Sequence, residues 1–228
     1  MSRLLKTVFG LFFGLTVAFA HAGSLDAISS GDAAAGVKEA LAKGADYAVS
    51  SLGKTNGFMG NPKVKIPLPG YLEKGQSALR MLGMGKQADQ LVETMNHAAE
   101  NAVAEAKPIL VDSIKKMSMS DAKAILTGGD DSVTQFFKRS SSDQLLVKLM
   151  RIVKEETKKL KLADQYNKFA GKAASAGLVD KKNADIDSYV THKAMDGLFL
   201  MIAEEEKKIR SNPVAAGSAL LGKVFGAL

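Results

Sequence analysis

IDSYVTHKAMDGLFLMIAEEEKKIRS, residues 186–211, decides the fold class. Tyr189, Val190, Leu198, Met201, Ile202 and Ile209 recur at spacings that keep to one side of a helix. Asp185 stands immediately before the run, where a short acidic side chain caps free backbone N–H groups. The spacing therefore predicts a helix over about Ile186–Ser211. Beyond it, Asn212-Pro213 reads as a cap followed by proline at the first helical position, opening a last and nearly uncharged helix.

Moving toward the N-terminus, a turn is expected over Gly177–Asn183, preceded by the longest helix, capped by Ser141 or Ser142 and reaching toward Ala174. Asp130 or Asp131 is placed to cap a short helix from Val133 to Lys138. Another short helix starts at Ser118 or Ser120, runs through Leu126 and ends at Gly128-Gly129. Lys86–Met117 sets Leu91, Met95, Ala99, Ala102, Val103 and Ala106 on one stripe, and Pro108 should kink or break it. Near the start, Asp32 can cap a helix carrying Val37, Leu41, Ala45, Ala48, Val49 and Leu52, with Gly53 at its end.

Between Gly53 and Gly85 the composition changes, since seven of the 21 glycines and three of the five prolines fall there. A short helix near Tyr71–Leu82 interrupts this region. Val64-Lys65-Ile66-Pro67-Leu68-Pro69 alternates, but its prolines exclude a central strand. It is expected to be an extended arm laying Val64, Ile66 and Leu68 on the helices. With no internal repeat and no β period, the chain is expected to be all-α: a compact multi-helix bundle of roughly seven or eight helices with one Gly/Pro-rich irregular arm.

The first 22 residues stand apart. Arg3 and Lys6 precede an apolar run from Val8 to Ala20, and Ala20-His21-Ala22 closes it before Gly23. This is the pattern of a signal peptide, residues 1–22, leaving residues 23–228 as one helical domain exported to the periplasm of a Gram-negative envelope. The run is shorter than the roughly 20 residues a spanning helix needs, and no later stretch qualifies, so the exported chain should carry no transmembrane segment. There is no cysteine, hence no disulfide and no lipid-attachment cysteine. The formal net charge of +7, of which Arg3 and Lys6 supply two, favours anionic partners. Nucleic acid is not an expected partner, because Trp is absent and the aromatic residues are not interleaved with the basic runs.

Several segments carry a family resemblance: Val64–Pro69, Met95-Asn96-His97-Ala98-Ala99-Glu100, Gly128-Gly129-Asp130-Asp131, Tyr189-Val190-Thr191, Asp196-Gly197-Leu198-Phe199, and Ala203–Glu206 with Ile209-Arg210. Over essentially the whole chain after the leader, the sequence resembles an exported bacterial family defined by a domain of unknown function, DUF4197. The resemblance implies an all-helical exported protein and transfers no substrate, cofactor or catalytic residue.

Candidate chemistry is sparse. Glu93 and His97 lie four apart on one helix, and His192 and Asp196 four apart on another, so a meeting of those faces would assemble a divalent metal site. Asn183, Asp185 and Asp187 alternate like the start of a calcium loop, but Ser188 and Ala194 replace its glycine and glutamate, so capping by Asp185 is the better account. Asp130-Asp131 and Glu204-Glu205-Glu206 read as a cap and a solvated face rather than an acid/base pair, with Glu204 and Lys208 spaced for a salt bridge. No nucleophile motif, phosphate loop or cofactor motif is present, and no catalytic residue is assigned.

The most informative charge feature runs from Lys138 to Lys172, where ten basic residues face four acidic ones. Leu145, Leu146, Leu149, Ile152, Val153, Leu160 and Ala163 fall on one half of the helical wheel, and Lys148, Arg151, Lys154, Lys158 and Lys161 on the other. The expected function is a non-enzymatic binding or scaffolding module whose basic face, Lys148, Arg151, Lys154 and Lys158, meets anionic phospholipid or an acidic envelope polymer. A metal-dependent enzyme and a carrier of an apolar ligand are the alternatives.

Overall fold

The computed structural model describes residues 29–70, 72, 76–81, 83–158, 160–175, 183 and 185–226. The expected leader and most of the Gly177–Asn183 turn lie outside the described residues. The helices are α1 (Ser30–Leu52), α2 (Gln76–Met81), α3 (Gly85–Ala104), α4 (Lys107–Lys115), α5 (Met119–Thr127), α6 (Ser132–Thr157), α7 (Lys161–Ser175), α8 (Ile186–Ser211) and α9 (Ala219–Phe225). The fold is all-α, and no strand occurs among the described residues.

α8 is the pillar, packing against α6, α1 and α3. Ile186, Val190, Ala194, Leu198 and Ile202 form an unbroken row four residues apart, all fully buried. Complete burial of each larger aliphatic side chain stabilises the fold by about 1.5–3 kcal/mol. The row does not stop at the last apolar residue, because one turn on it reaches Glu206, also buried. α9 closes the bundle against α1 at Gly36, where a Cβ would stand 2.7 Å from Val224 Cγ2, so only glycine admits this approach.

Between Gly53 and Gly70 the arm crosses α3 and α8 without regular structure. Val64, Ile66 and Leu68 are buried as the alternation predicts, and Phe58 is buried with them. The Phe58 ring fits over Gly197 of α8, where a Cβ would lie 2.8 Å from Cε1.

Local signals place most boundaries. Pro108 sits in the first turn of α4, after α3 has ended at Ala104, because proline lacks the N–H that would continue the ladder. Ser118 and Asp121 form a reciprocal capping box at α5, and Asp185 caps α8 by accepting from Ser188 N at 2.6 Å.

Four expectations are corrected. α1 is capped by Ser29, whose hydroxyl accepts from Asp32 N at 3.1 Å; Asp32 lies in the first turn and pairs with Lys223 at 2.6 Å. α6 runs unbroken through Ser141 and Ser142, because the hydroxyls of Ser140 and Ser141 bond back to Phe136 O and Phe137 O at 2.9 and 2.6 Å instead of capping a new helix. The expected continuation toward Ala174 is interrupted between Thr157 and Lys161. The last helix begins at Ala219, not behind Asn212-Pro213: residues 213–217 form a turn with Gly217 at φ +78°, and the Ser218 hydroxyl caps α9.

Candidate functional site

Two polar clusters lie inside an otherwise apolar bundle, each built around a glutamate. On α3, Asn96 and Glu100 are one turn apart and buried. Asn96 embraces Ile66 of the arm, accepting from Ile66 N at 2.8 Å and donating to Ile66 O at 2.9 Å. The Glu100 carboxylate accepts from the backbone N–H groups of Asn56, Phe58 and Met59 at 3.2, 3.0 and 3.0 Å. It also meets His97 Nδ1 at 2.8 Å. Asn56 is held there in the left-handed region at φ 62°, which asparagine tolerates better than most residues. Burial pushes the Glu100 carboxyl upward, but the hydrogen bonds from Met59, His97 and Phe58 and the imidazole charge outweigh it, and the group lies below the usual carboxylate range. Irregular backbone is thus buried because α3 side chains satisfy it.

The second cluster ties α8 to the start of α6. Glu206 accepts from Val133 N at 2.8 Å and from Thr134 N and Oγ1 at 3.0 Å, satisfying first-turn amides that have no partner within their own helix. Arg210, one turn on, donates to Glu206 at 3.1 Å, to Ile125 O at 2.9 Å and to Ser132 Oγ at 2.5 Å, and lies 5.4 Å from the Phe225 ring centroid. Asp131, at the cap position of α6, makes no capping hydrogen bond, and Asp130 and Asp131 are exposed. The reading of 204–206 as a solvated face fails for Glu206. Glu204 pairs instead with Lys63 of the arm at 2.6 Å, and Lys208 with Glu205 at 3.1 Å.

Among the described residues the candidate metal ligands give one pair, Glu93 with His97, and no ion pair joins His192 to Asp196. His97 Nε2 is 3.8 Å from Glu93, while His192 Nδ1 turns to the carbonyl of Ser188 at 2.8 Å. Among the described residues, no group of three or more His, Cys, Asp or Glu side chains is arranged to hold a metal ion. Asp187, from the rejected calcium pattern, bonds Thr157; burial raises its carboxyl, with Asp185 and Asp164 adding to the effect.

The basic helix keeps its predicted sides. Leu145, Leu149 and Val153 are fully buried, whereas Arg151, Lys154 and Lys158 are exposed. Lys148 is bound to Glu105 at 3.2 Å and Lys158 to Glu155, Lys154 attracts the Asp187 carboxylate at longer range, and among the described residues no ion pair involves Arg151. Val147 projects beside them, 74% exposed. Lys161 belongs to α7, past the interruption. The space enclosed by Ala40, Gly44, Val133, Ile209 and Phe225, between α1, α6, α8 and α9, cannot accept even a water molecule.

Sequence patterning misses Asn96, Glu100, Glu206 and Arg210 as organising residues. A signal for Glu206 was present, because it extends the four-residue row of Val190, Ala194, Leu198 and Ile202. A charge on a buried row calls for a partner from elsewhere in the chain.

These features define an all-helical bundle in which two buried glutamates clasp distant backbone and one long helix turns basic residues outward. The chain belongs to the family described as Protein of unknown function (DUF4197), which matches it over residues 27–226. No curated protein and no solved structure matches it.

Proposed function

We propose that the protein is a non-enzymatic, peripheral binding module of the bacterial envelope that docks through α6 on anionic phospholipid. The observation that carries the reading is the outward face of α6, where exposed Val147 lies among Lys148, Arg151 and Lys154 while the opposite face is sealed in the core. An apolar side chain with cations on one side and Asp143 and Gln144 on the other suits a headgroup boundary, where Val147 enters the acyl edge and the cations meet phosphate. Each basic residue near such a surface contributes on the order of 1 kcal/mol, less where Glu105 and Glu155 already engage Lys148 and Lys158. Among the described residues no helix is long and apolar enough to cross a membrane, in keeping with peripheral attachment. The envelope location rests on the expected leader.

Sedimentation with vesicles containing phosphatidylglycerol tests the reading. Reversal of Lys148, Arg151, Lys154 and Lys158 to Glu is expected to abolish co-sedimentation while helicity stays near wild type and melting falls only slightly, because the changes at 148 and 158 set carboxylates against Glu105 and Glu155 on the surface. Wild-type binding should weaken with salt as the Debye length falls from about 10 Å at 0.1 M to about 3 Å at 1 M. Equal binding by both proteins, or retention on an acidic polysaccharide with no vesicle binding, overturns it.

A further inference from the structure

The side chains of Glu93, His97 and Glu100 occupy successive turns of α3, with the imidazole between an exposed carboxylate and a buried one. Glu100 is 4% exposed and already accepts three backbone N–H groups. An ionised carboxylate only accepts, so the 2.8 Å contact assigns the proton to His97 Nδ1. In the neutral ring this leaves the lone pair on Nε2, directed toward Glu93, with His97 and Glu93 side chains 39% and 62% exposed. A buried carboxylate behind Nδ1 and an open Nε2 in front is the arrangement that orients metal-binding histidines.

We propose that Glu93 and His97 Nε2 form an exchangeable surface site for a borderline divalent transition-metal ion such as Zn²⁺, with Glu100 as the positioning residue. Two ligand atoms sharing a tetrahedral ion at about 2.1 Å stand roughly 3.4 Å apart. The observed 3.8 Å is within a small adjustment of the solvent-exposed Glu93 side chain. Water completes the coordination, so the ion is held less tightly than at sites with three or four protein ligands. Asp89, one turn before Glu93, is engaged by Arg80 at 3.2 Å and is not counted as a ligand. His192 takes no part, because among the described residues no ion pair sets Asp196 or another carboxylate beside its ring to serve as a second ligand. The site is independent of the α6 surface.

Calorimetric titration of the full chain with Zn²⁺ near pH 7, where the ion stays in solution and an ordinary imidazole is about three-quarters neutral, tests the proposal. Wild type is expected to show a saturable site that His97→Asn removes. That variant's amide still donates to Glu100 but presents no nitrogen at the Nε2 position, so the melting temperature and arm protection should be preserved. Glu93→Gln is expected to weaken the site, and Glu100→Gln to weaken it about 10–100-fold through loss of orientation. His192→Asn should leave it unchanged. No heat of binding at millimolar Zn²⁺, binding indifferent to His97→Asn, or equal loss in His192→Asn overturns the proposal.

Discussion

Glu100 and Glu206 perform the same task at two places with different partners. Each is buried on a helix, accepts backbone N–H groups from a distant segment and has a basic residue within one turn. Glu206 is matched with Arg210, whose side chain is 11% exposed, permanently charged and bonded to Ser132 and Ile125 as well. Glu100 is matched with a half-open, titratable imidazole. The first closes helix against helix in the core. The second fastens a loop and leaves one side in water. The clasp sealed by arginine is closed to solvent, whereas the one backed by a half-exposed histidine stays in contact with the medium.

The comparison breaks most sharply at Glu206. Glu206→Ala is expected to cost about 3–5 kcal/mol in urea unfolding, because it strands the Arg210 charge and the first-turn amides of α6. Adding Arg210→Met should recover much of the loss, since removing both partners of a buried pair costs less than removing one. Glu100→Gln keeps one acceptor oxygen and should cost about 1.5–3 kcal/mol, read as faster hydrogen exchange at Asn56, Phe58 and Met59 with Val133 and Thr134 unaffected. Acidification should likewise speed exchange at Asn56, Phe58 and Met59. The Glu100 carboxyl is depressed in the folded state, so its contribution is complete above the ordinary carboxylate range and lost as pH falls through the lowered folded value. The smallest effect concerns the arm's apolar contact. Gly197→Ala gains about 1 kcal/mol of helix propensity but drives a methyl into the Phe58 ring, so a net loss of about 1 kcal/mol is expected in the melting curve.

Much of the fold was legible because its signals are local. The α8 boundaries follow from apolar periodicity and a cap immediately before it, the α3–α4 break from a proline, and the inward side of the arm from alternation at Val64, Ile66 and Leu68. These features depend on residues within a turn or two of one another. The start of α6 was located to within a residue but its capping group was misread, because two aspartates at the right place resemble a cap, while the group that satisfies those amides comes from Glu206, more than seventy residues away. Ser141 misled for a related reason: a serine hydroxyl serves a helix end or a carbonyl four residues back equally well, and the surrounding packing selects between them.

The candidate chemistry divides along the same line. Four-residue spacing correctly put Glu93 beside His97 on one helix face, because a helix brings such residues together whatever the rest of the chain does. It could not reveal that Glu100 stands behind the imidazole as an ionised, buried acceptor, since that depends on the arm folding over α3 and offering three N–H groups. By itself the sequence determined the all-helical class, the extent of α8, the sidedness of the basic helix and the identity of the irregular arm, all products of short-range periodicity and turn chemistry. Only the tertiary structure decided which polar residues became the buried clasps, because a buried charge is stable only where backbone from elsewhere in the chain arrives to satisfy it.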